Sequence, residues 1–237
     1  DEEWLRVQSN PRISAIDADA VRRHSLLASA VMLGSDSRGR VTYRAASIES
    51  VRIRSVTQEY VNFSNFDAER GRLMTPTEVT LARPVAVLGS QIAERLFGTD
   101  VDPIEKTIQI EGVHFRVVGV SAKRGTLLGQ TQDEFAVIPL GQFQQIFGSR
   151  ERLTMWVKPR DLNQTEAAID EATLALRIAR RLKPRQPDNF AIFNSDTVLG
   201  TYRSATSGVF AVLVGVVALS LVVGGVVIMN IMLMVVT

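Results

Sequence analysis

The chain has 237 residues, with 27 basic and 25 acidic side chains, and its formal net charge of +2 indicates no particular class of partner. A nucleic-acid interface would interleave a basic cluster with aromatic residues, whereas the basic cluster at residues 177–185 ends a predicted helix, where cations favour the helix dipole. The absence of cysteine excludes disulfides and thiolate metal sites, and His24 and His114 lie too far apart in sequence to indicate a metal cluster. We therefore expect no nucleic-acid partner and no metal.

The first 57 residues alternate between strand and helix patterns. Ser14, followed three residues later by Asp17, matches an acidic form of the capping box and predicts a helix from Ala15 to His24. Strands are predicted at residues 4–7, 25–33, 41–45 and 49–57, and the glycine- and serine-rich residues 34–39 have the composition of a hairpin loop.

The middle of the chain carries clearer signals after a weak helical pattern at residues 58–73. Thr75, Pro76 and Glu78 mark the start of a helix, because a capping residue, a proline at the first turn and a glutamate three residues on occur together. Glu111-Gly112 separates two alternating runs and predicts a β-hairpin over residues 107–120. Further strands are predicted at residues 84–88 and 135–138, and helices at 90–97 and 140–147.

Residues 121–134 form a polar, glycine-bearing stretch between two apolar strands. A phosphate-binding loop would require a lysine and a hydroxyl residue in register with a helix start, and neither is present in that register, so the stretch is predicted to be a mobile loop. Neither histidine lies near a Gly-x-Ser-x-Gly element, and adjacent carboxylates such as Asp133 and Glu134 are usually solvated. We expect no catalytic and no cofactor-binding residue in this chain.

In the part of the chain before the apolar C-terminal run, a strand is predicted at residues 153–157, a helix at 165–182 and a strand at 190–193. The segments 4–33 and 153–193 therefore share a strand, helix, strand order. The residues from about 60 to 148 fit an insertion between these two units.

The C-terminal stretch is apolar and carries no charge after Arg203. An apolar run well beyond about 18 residues can cross roughly 30 Å of hydrocarbon as a helix, so residues 208–236 are predicted to span a membrane. The alternative is a helix buried within a large soluble core, which the remaining chain is short to cover.

Small residues in this run indicate close packing against other helices. The positions predicted to serve packing and coupling in the membrane are Gly215, Ser220, Gly224, Gly225 and Asn230. Upstream, four residues fall on one face at helical spacing and predict a stalk that continues into the membrane helix. These four are Val198, Tyr202, Ala205 and Val209.

Several blocks of the sequence resemble, in the same order, the extracytoplasmic core of MacB-type ABC transporter permeases. The run Ile13-Ser14-Ala15-Ile16-Asp17-Ala18 is similar to the family's Leu-Thr-x-x-Asp-Ala opening. Further similar blocks lie at residues 71–73, 85–89, 96–98, 102–104, 117–120 and 223–237, the last resembling the family's second membrane helix. The resemblance covers nearly the whole chain. Compared with the family, this sequence lacks the first membrane helix, the last two membrane helices and the ATPase that some members fuse to the permease.

The resemblance implies an α+β fold with a two-lobed extracytoplasmic domain followed by a long stalk and transmembrane helix. In this division a porter-like βαβ pair consists of residues 1–57 and 150–195, an inserted α/β lobe of residues 58–149, and the stalk and transmembrane helix of residues 196–237. It also implies a location in the cytoplasmic membrane, with the large domain outside.

The resemblance further implies a permease subunit that couples cytoplasmic ATP hydrolysis to extracytoplasmic conformational change for export or efflux. The chain itself is then no enzyme, because ATP and Mg²⁺ belong to a partner ATP-binding subunit or domain. Other expected partners are a second permease in a homodimer, an extracytoplasmic adaptor and membrane lipid. An alternative function is a membrane-anchored interaction module that regulates a cell-wall enzyme, in the manner of FtsX-like proteins.

Overall fold

The computed structural model describes residues 10–63, 67–98, 101–127, 130–149 and 151–194, together with positions 213, 214, 216–218, 220, 224–226, 228, 229, 231 and 232. The chain divides into two compact units, Asp1–Asn189 and Phe190–Thr237.

The first unit contains the helices and strands as follows. The helices are α1 (Ala15–His24), α2 (Pro76–Thr80), α3 (Ser90–Phe97), α4 (Leu140–Phe147) and α5 (Thr165–Ala179), with short 3-10 helices at Gln58–Asn62 and Leu162–Gln164. The strands are β1 (Ala28–Gly34), β2 (Asp36–Tyr43), β3 (Ala46–Val56), β4 (Ala68–Gly71), β5 (Val85–Leu88), β6 (Thr107–Ile110), β7 (Val113–Ser121), β8 (Thr126–Leu127), β9 (Gln130–Thr131), β10 (Phe135–Pro139) and β11 (Thr154–Pro159).

The two ends of the first unit meet in a lobe that we call the small lobe. It consists of α1, β1, β11 and α5, with β1 and β11 paired antiparallel from Ala28 opposite Pro159 to Gly34 opposite Thr154. The two helices pack through small buried side chains, among them Ala18 on α1 and Ala172 on α5. Small residues allow a close approach of the helices, so the lobe is compact despite having only two described strands.

The remaining strands of the first unit form a sheet that closes on itself. Its order is β4-β7-β5-β10-β3-β2-β6, and β6 also pairs with β7, so that among the described residues β7, β5, β10, β3, β2 and β6 make a closed ring. We call this the strand ring. Closure pairs strand edges that would otherwise be exposed to another chain.

The strands of the ring carry apolar side chains on both faces. On one face Ile53, Leu88, Phe115 and Ile138 pack with α3 and α4 in a large buried cluster. On the other face Val56, Val87, Phe135 and Val137 pack with Met32 of β1 and Tyr60 of the first 3-10 helix. Since β5 and β10 are buried on both faces, they read as continuous apolar runs in the sequence.

Several predicted elements are confirmed. Helix α1 has the predicted capping box, in which the Asp17 backbone N–H donates to Ser14 Oγ at 3.3 Å and the Ser14 N–H donates to Asp17 Oδ2 at 2.9 Å. The box at Thr75 and Glu78 likewise starts α2. The hairpin β6–β7 turns at Glu111 and Gly112, whose φ angles of 48° and 82° lie in the left-handed region that the pair was expected to adopt.

The predicted hairpin loop at residues 34–39 is wrong, because β2 begins at Asp36. The glycine at position 34 serves close packing instead of a turn: a Cβ atom there would lie 2.1 Å from the carbonyl oxygen of Ser55. The turn comes later, after Tyr43, where Arg44 adopts a φ of 51°. The predicted strand at residues 190–193 is also wrong, since these residues form neither helix nor strand.

The stretch at residues 121–134 contains secondary structure that its composition did not predict. It contains the short β8–β9 hairpin, and the carboxylate of Asp133 accepts hydrogen bonds from the backbone N–H groups of Arg124 and Gly125 at 2.8 and 2.9 Å. The sequence pattern missed this hairpin because each of its strands is only two residues long. Its mobility stays a prediction.

The pairing of β2 and β3 differs from the predicted division of the chain at one point. The prediction assigned residues 1–57 to the porter-like lobe, whereas Asp36–Val56 pair within the strand ring, β3 with β10 in parallel and β2 with β6. The small lobe therefore takes its N-terminal strand from β1 alone. The rest of the division, including residues 58–149, 150–195 and 196–237, stays a prediction.

The second unit is described at only part of its length. Every described residue between positions 213 and 232 is helical. Among the described residues, no helix has both the length and the apolar character needed to cross a membrane. The predicted strand at residues 4–7 and most of the predicted stalk and spanning run lie outside the described residues.

Candidate functional site

Arg180, the residue that follows α5, joins two distant parts of the chain. Its Nε and Nη2 donate to Oδ1 and Oδ2 of Asp17 at 3.2 and 3.0 Å. Nη2 also donates to the carbonyl oxygen of Arg12 at 3.2 Å, and Nη1 donates to the carbonyl oxygen and Oδ1 of Asn189, both at 2.9 Å. One guanidinium thus holds the segment that leads into α1 and the segment that follows α5. We call these four residues the Arg180 clamp.

The ion pair within the Arg180 clamp is buried. The side chains of Arg180 and Asp17 are only 8% and 7% exposed. Burial by itself would raise the pKa of Asp17, but the hydrogen bonds from Arg180 and Ser14 outweigh it and lower the pKa below its ordinary value. A buried pair whose carboxylate is held ionised in this way gives a rigid geometry, because either partner alone would be a buried uncompensated charge.

The residues that follow α1 are bonded to Glu171, which lies in the middle of α5. One carboxylate oxygen, Oε2, accepts hydrogen bonds from Ser25 Oγ and from the backbone N–H groups of Leu26 and Leu27, each at 2.9 Å. The Leu27 N–H, and then the Ser25 hydroxyl, lower the pKa of Glu171. Side-chain hydrogen bonds therefore join α5 to the first turn of α1 through Arg180 and to the residues after α1 through Glu171.

A third set of contacts links the small lobe to the strand ring. The N–H of Ser35 donates to Ser55 Oγ at 2.7 Å, and this hydroxyl donates back to the carbonyl oxygen of Ser35 at 2.9 Å. Ser35 Oγ donates to the carbonyl oxygen of Arg152 at 2.9 Å. Both serines are buried, at 4% and 2% exposed, so these bonds are shielded from water. We call Ser35, Ser55 and Arg152 the serine junction.

The strand that adjoins the serine junction is packed and bonded closely at Gly34 and Leu33. Gly34, directly before it, approaches the Ser55 carbonyl so closely that no larger residue fits. The Thr57 N–H donates to the carbonyl oxygen of Leu33 at 3.1 Å, and the Leu33 N–H donates to Thr57 Oγ1 at 3.0 Å. The end of β1 is therefore bonded on one side to β11 and on the other to the end of β3.

The residues predicted to act in the membrane fall in the second unit. Ser220, Gly224 and Gly225 occupy helical positions, and Ser220 Oγ donates to the carbonyl oxygen of Val216 at 2.9 Å. The others lie outside the described residues; they are Gly215 and Asn230 of the predicted membrane set, and Val198, Tyr202, Ala205 and Val209 of the predicted stalk. Their roles stay predictions.

Sequence reasoning found Asp17 only as a capping residue and Arg180 only as a cation at a helix end. The two residues are 163 positions apart, and neither carries a local signal for the other. The serine junction was missed for the same reason. Among the described residues, no group of three or more His, Asp or Glu side chains could hold a metal ion.

The fold and the site define a class of protein, a two-lobed α+β domain. In its small lobe one guanidinium, that of Arg180, binds both the segment before α1 and the segment after α5. Hydrogen bonds join this lobe to the closed strand ring. Residues 3–175 match the family model of the MacB-like periplasmic core domain. This chain belongs to that family, and with it to the extracytoplasmic core domains of MacB-type ABC transporter permeases.

Named relatives agree with this assignment. The chain is 29% identical over 228 residues to the macrolide export ATP-binding/permease protein MacB of Bdellovibrio bacteriovorus, which covers 95% of this chain and 35% of that protein. It is 30% identical over 172 residues to the pyoverdine export ATP-binding/permease protein PvdT of Pseudomonas syringae pv. tomato, covering 72% of this chain and 26% of that protein. The chain thus spans about a third or less of the length of these curated relatives.

The fold has a counterpart among solved structures. The periplasmic region of MacB from Actinobacillus actinomycetemcomitans matches with a TM-score of 0.66 and 22% identity, over 81% of this chain and 84% of that one. At this identity the likeness shows the fold alone. It agrees with the predicted α+β fold.

Proposed function

We propose that this chain is the extracytoplasmic coupling part of an ABC export permease, which passes conformational change between the membrane and the strand ring. The proposal rests on the family assignment for its setting and on the Arg180 clamp for its mechanism. The export functions that the names of MacB and PvdT state belong to those proteins, and their two different cargoes leave the cargo of this chain open.

The observation that carries the proposal is the double attachment at Arg180. A domain that only displayed a binding surface could leave the segments at residues 12 and 189 independent of each other. Here both segments are bonded to the same buried guanidinium. A relative movement of the two segments must then either break these bonds or move the small lobe as a whole.

The contacts beyond the clamp support a continuous mechanical path. Glu171, in the middle of α5, binds the residues that follow α1, and the serine junction bonds the end of β1 to β3 of the strand ring. Each step consists of hydrogen bonds between residues distant in sequence, and straining these bonds costs free energy. The small lobe is therefore suited to transmit displacement instead of absorbing it.

The proposed setting includes partners outside this chain. A partner ATP-binding subunit or domain would supply ATP hydrolysis and hold the ATP and Mg²⁺, and the parent protein would sit in the cytoplasmic membrane with this domain outside. A homodimer of permeases and an extracytoplasmic adaptor are part of the same proposal. The alternative, an FtsX-like module that regulates a cell-wall enzyme, would use the same mechanical path for a different output.

The test is Arg180→Lys in the intact parent transporter. Lysine keeps the positive charge beside Asp17 but lacks the planar fork, so it cannot reach Arg12 and Asn189 at the same time. We expect membrane insertion and basal ATPase activity to be retained while most of the ATP-dependent export is lost. Arg70→Lys is the matched control, because Arg70 forms an exposed pair with Asp102 and should leave export unchanged.

Wild-type export by the Arg180→Lys protein would refute the coupling role. Loss of ATPase activity and of membrane insertion together would show a folding defect instead. If export is absent from both the wild-type parent and the variant, but the wild type alone activates a co-purifying cell-wall hydrolase, the alternative function is supported.

A further inference from the structure

The outer face of β2 and β3 carries an unusual arrangement of arginines. The strands are antiparallel, with Asp36 opposite Arg54 and Arg38 opposite Arg52. Residues directly opposite each other on one face of a sheet have their Cβ atoms about 4.5–5.5 Å apart, and like charges at this distance are destabilising. We call Arg38, Arg52 and Arg54 the arginine face.

The arginine face has little internal neutralisation. Among the described residues, no carboxylate forms an ion pair within 4.0 Å of Arg38 or Arg52, whereas the next arginine along β2, Arg40, pairs with Glu49 at 2.6 Å. Asp36 lies 3.6 Å from Arg54, and it is the one acid opposite these arginines on the two strands. Three arginines therefore face a single aspartate.

The surroundings of Arg54 hold its guanidinium over an aromatic ring and place two further positive charges near it. Its guanidinium lies over the ring of Phe135, 5.6 Å from the ring centroid, and its side chain is 29% exposed. Burial, followed by the positive charges of Arg52 and Arg124, lowers the pKa of Arg54, while Asp36 acts in the opposite direction. An anion bound at the arginine face would reduce the electrostatic repulsion among these arginines, which the fold holds close to one another.

We propose that the arginine face is a docking surface for an extended acidic segment of a partner protein. Arg52 and Arg54 are two positions apart on one strand, so they repeat every 6.6–6.8 Å or so, which is the spacing of alternate side chains in any extended peptide. Guanidinium groups bind carboxylates through two parallel hydrogen bonds, a geometry that an ammonium cannot offer. A segment with acidic residues at alternate positions matches both the spacing and the chemistry.

This chemistry favours a peptide over an anionic membrane surface. Lipid headgroups attract basic side chains largely through net charge and do not require a fixed spacing along a strand. Three features favour a ligand with a fixed spacing of its acidic groups. They are the repeat along the strand, the use of arginine at all three positions and the aromatic ring beside Arg54. The proposal concerns a partner surface and does not rest on the coupling role of the Arg180 clamp.

The experiment uses the full chain in nanodiscs of zwitterionic phosphatidylcholine and a fluorescein-labelled peptide with glutamate at every second position, separated by serine. Fluorescence anisotropy should show saturable binding that weakens with salt. The variant Arg38→Gln/Arg52→Gln should bind at least about tenfold more weakly. The control Arg70→Gln/Arg116→Gln has the same charge change on other strands and should stay within about twofold of wild type.

A second variant, Arg38→Lys/Arg52→Lys, keeps the net charge and removes only the fork geometry. It should bind the peptide several-fold more weakly than wild type, and full binding would overturn the proposed carboxylate recognition. Equal weakening in the Arg38/Arg52 and Arg70/Arg116 glutamine variants would reduce the effect to net charge and overturn the site. Absence of peptide binding, with Arg38- and Arg52-dependent binding to vesicles containing phosphatidylglycerol, would replace the partner segment by a lipid surface.

Thermal unfolding separates this role from a structural one. Because Arg38 and Arg52 repel each other in the folded chain, the glutamine double variant should unfold at a temperature equal to or above that of wild type. A marked decrease in that temperature would show that the arginines serve the fold, and the proposal would then fail.

Discussion

Replacing Arg180 by methionine is expected to destabilise the first unit strongly. Methionine retains much of the aliphatic volume but removes every donor of the guanidinium. Asp17, which is only 7% exposed, would then be a buried carboxylate without its cation. The carbonyl oxygens of Arg12 and Asn189 would lose a donor at the same time.

The magnitude follows from the burial of the pair. Removing one partner of a buried ion pair typically costs about 3–5 kcal/mol, because the remaining charge is left uncompensated. An exposed pair such as Arg70–Asp102, whose side chains are 52% and 63% exposed, contributes about 1 kcal/mol or less. We therefore expect Arg180→Met to lower the free energy of unfolding by about 3–5 kcal/mol and Arg70→Met by less than about 1 kcal/mol.

The assay is urea unfolding of the full chain in detergent micelles, followed by tryptophan fluorescence in a Trp4→Phe background, so that Trp156 of β11 is the reporter in the small lobe. The pH dependence provides a second readout. Since the pKa of Asp17 is lowered by folding, the stability from this carboxylate is fully present above its ordinary pKa of 3.8 and is lost as the pH falls through the folded-state pKa.

Acidification should therefore reduce the difference between wild type and Arg180→Met. At about pH 7 the variant holds an ionised carboxylate without a partner, whereas at about pH 3 this carboxylate is largely protonated and costs less to bury. A difference below about 1 kcal/mol at neutral pH, or one that does not change with pH, would refute the reasoning from burial.

Three further predictions concern other parts of the chain. Glu78→Gln should lower the free energy of unfolding by about 1–2 kcal/mol, because Glu78 accepts from both Arg72 Nη atoms at 2.7 and 2.8 Å and from the Thr75 N–H at 2.8 Å. Folding lowers the pKa of Glu78 from 4.5 to about 2, so its contribution to stability is fully present above pH 4.5. Thermal scans should show this contribution lost as the pH falls from 4.5 to about 2. Gly34→Ala should cost about 1–3 kcal/mol or more by urea unfolding, whereas Gly39→Ala, whose added Cβ would meet the flexible Glu111 side chain at 3.1 Å, should cost less. Ala205→Pro in the parent transporter should break the predicted stalk at a cost of roughly 3 kcal/mol, leaving the folded domain and insertion measurable but stopping export; an unbroken helix or full export in that variant would contradict the stalk prediction.

The elements that sequence predicted well are those with local causes. The capping boxes at Ser14 and Thr75, and the turn at Glu111-Gly112, depend on residues within three or four positions of each other, and the structure confirms all of them. The interactions that form these elements involve only neighbouring residues, so the elements can be predicted from a single sequence. The apolar runs of β5 and β10 were also predictable, because burial on both faces removes polar residues from the pattern.

The features that sequence missed have long-range causes. Gly34 looks like a turn residue, and only the position of the Ser55 carbonyl shows that it is required for close packing. Arg180 looks like a dipole-stabilising cation until Asp17 is brought beside it. The candidate site consists almost entirely of such contacts, which explains why the family resemblance, and not the residue pattern, indicated the function.

The serine junction also has a consequence for the order in which we expect the chain to fold. Ser29 and Lys158, joined across β1 and β11, are 129 positions apart, and the entropy of closing a loop rises with its length. The strand ring includes local hairpins that need no such closure, and Ser35, directly before β2, is bonded to Arg152, shortly before β11. Once the ring has formed, the two halves of the small lobe emerge side by side, and their pairing costs no more than that of neighbours in sequence. We therefore expect the lobe that carries the Arg180 clamp to assemble after the strand ring.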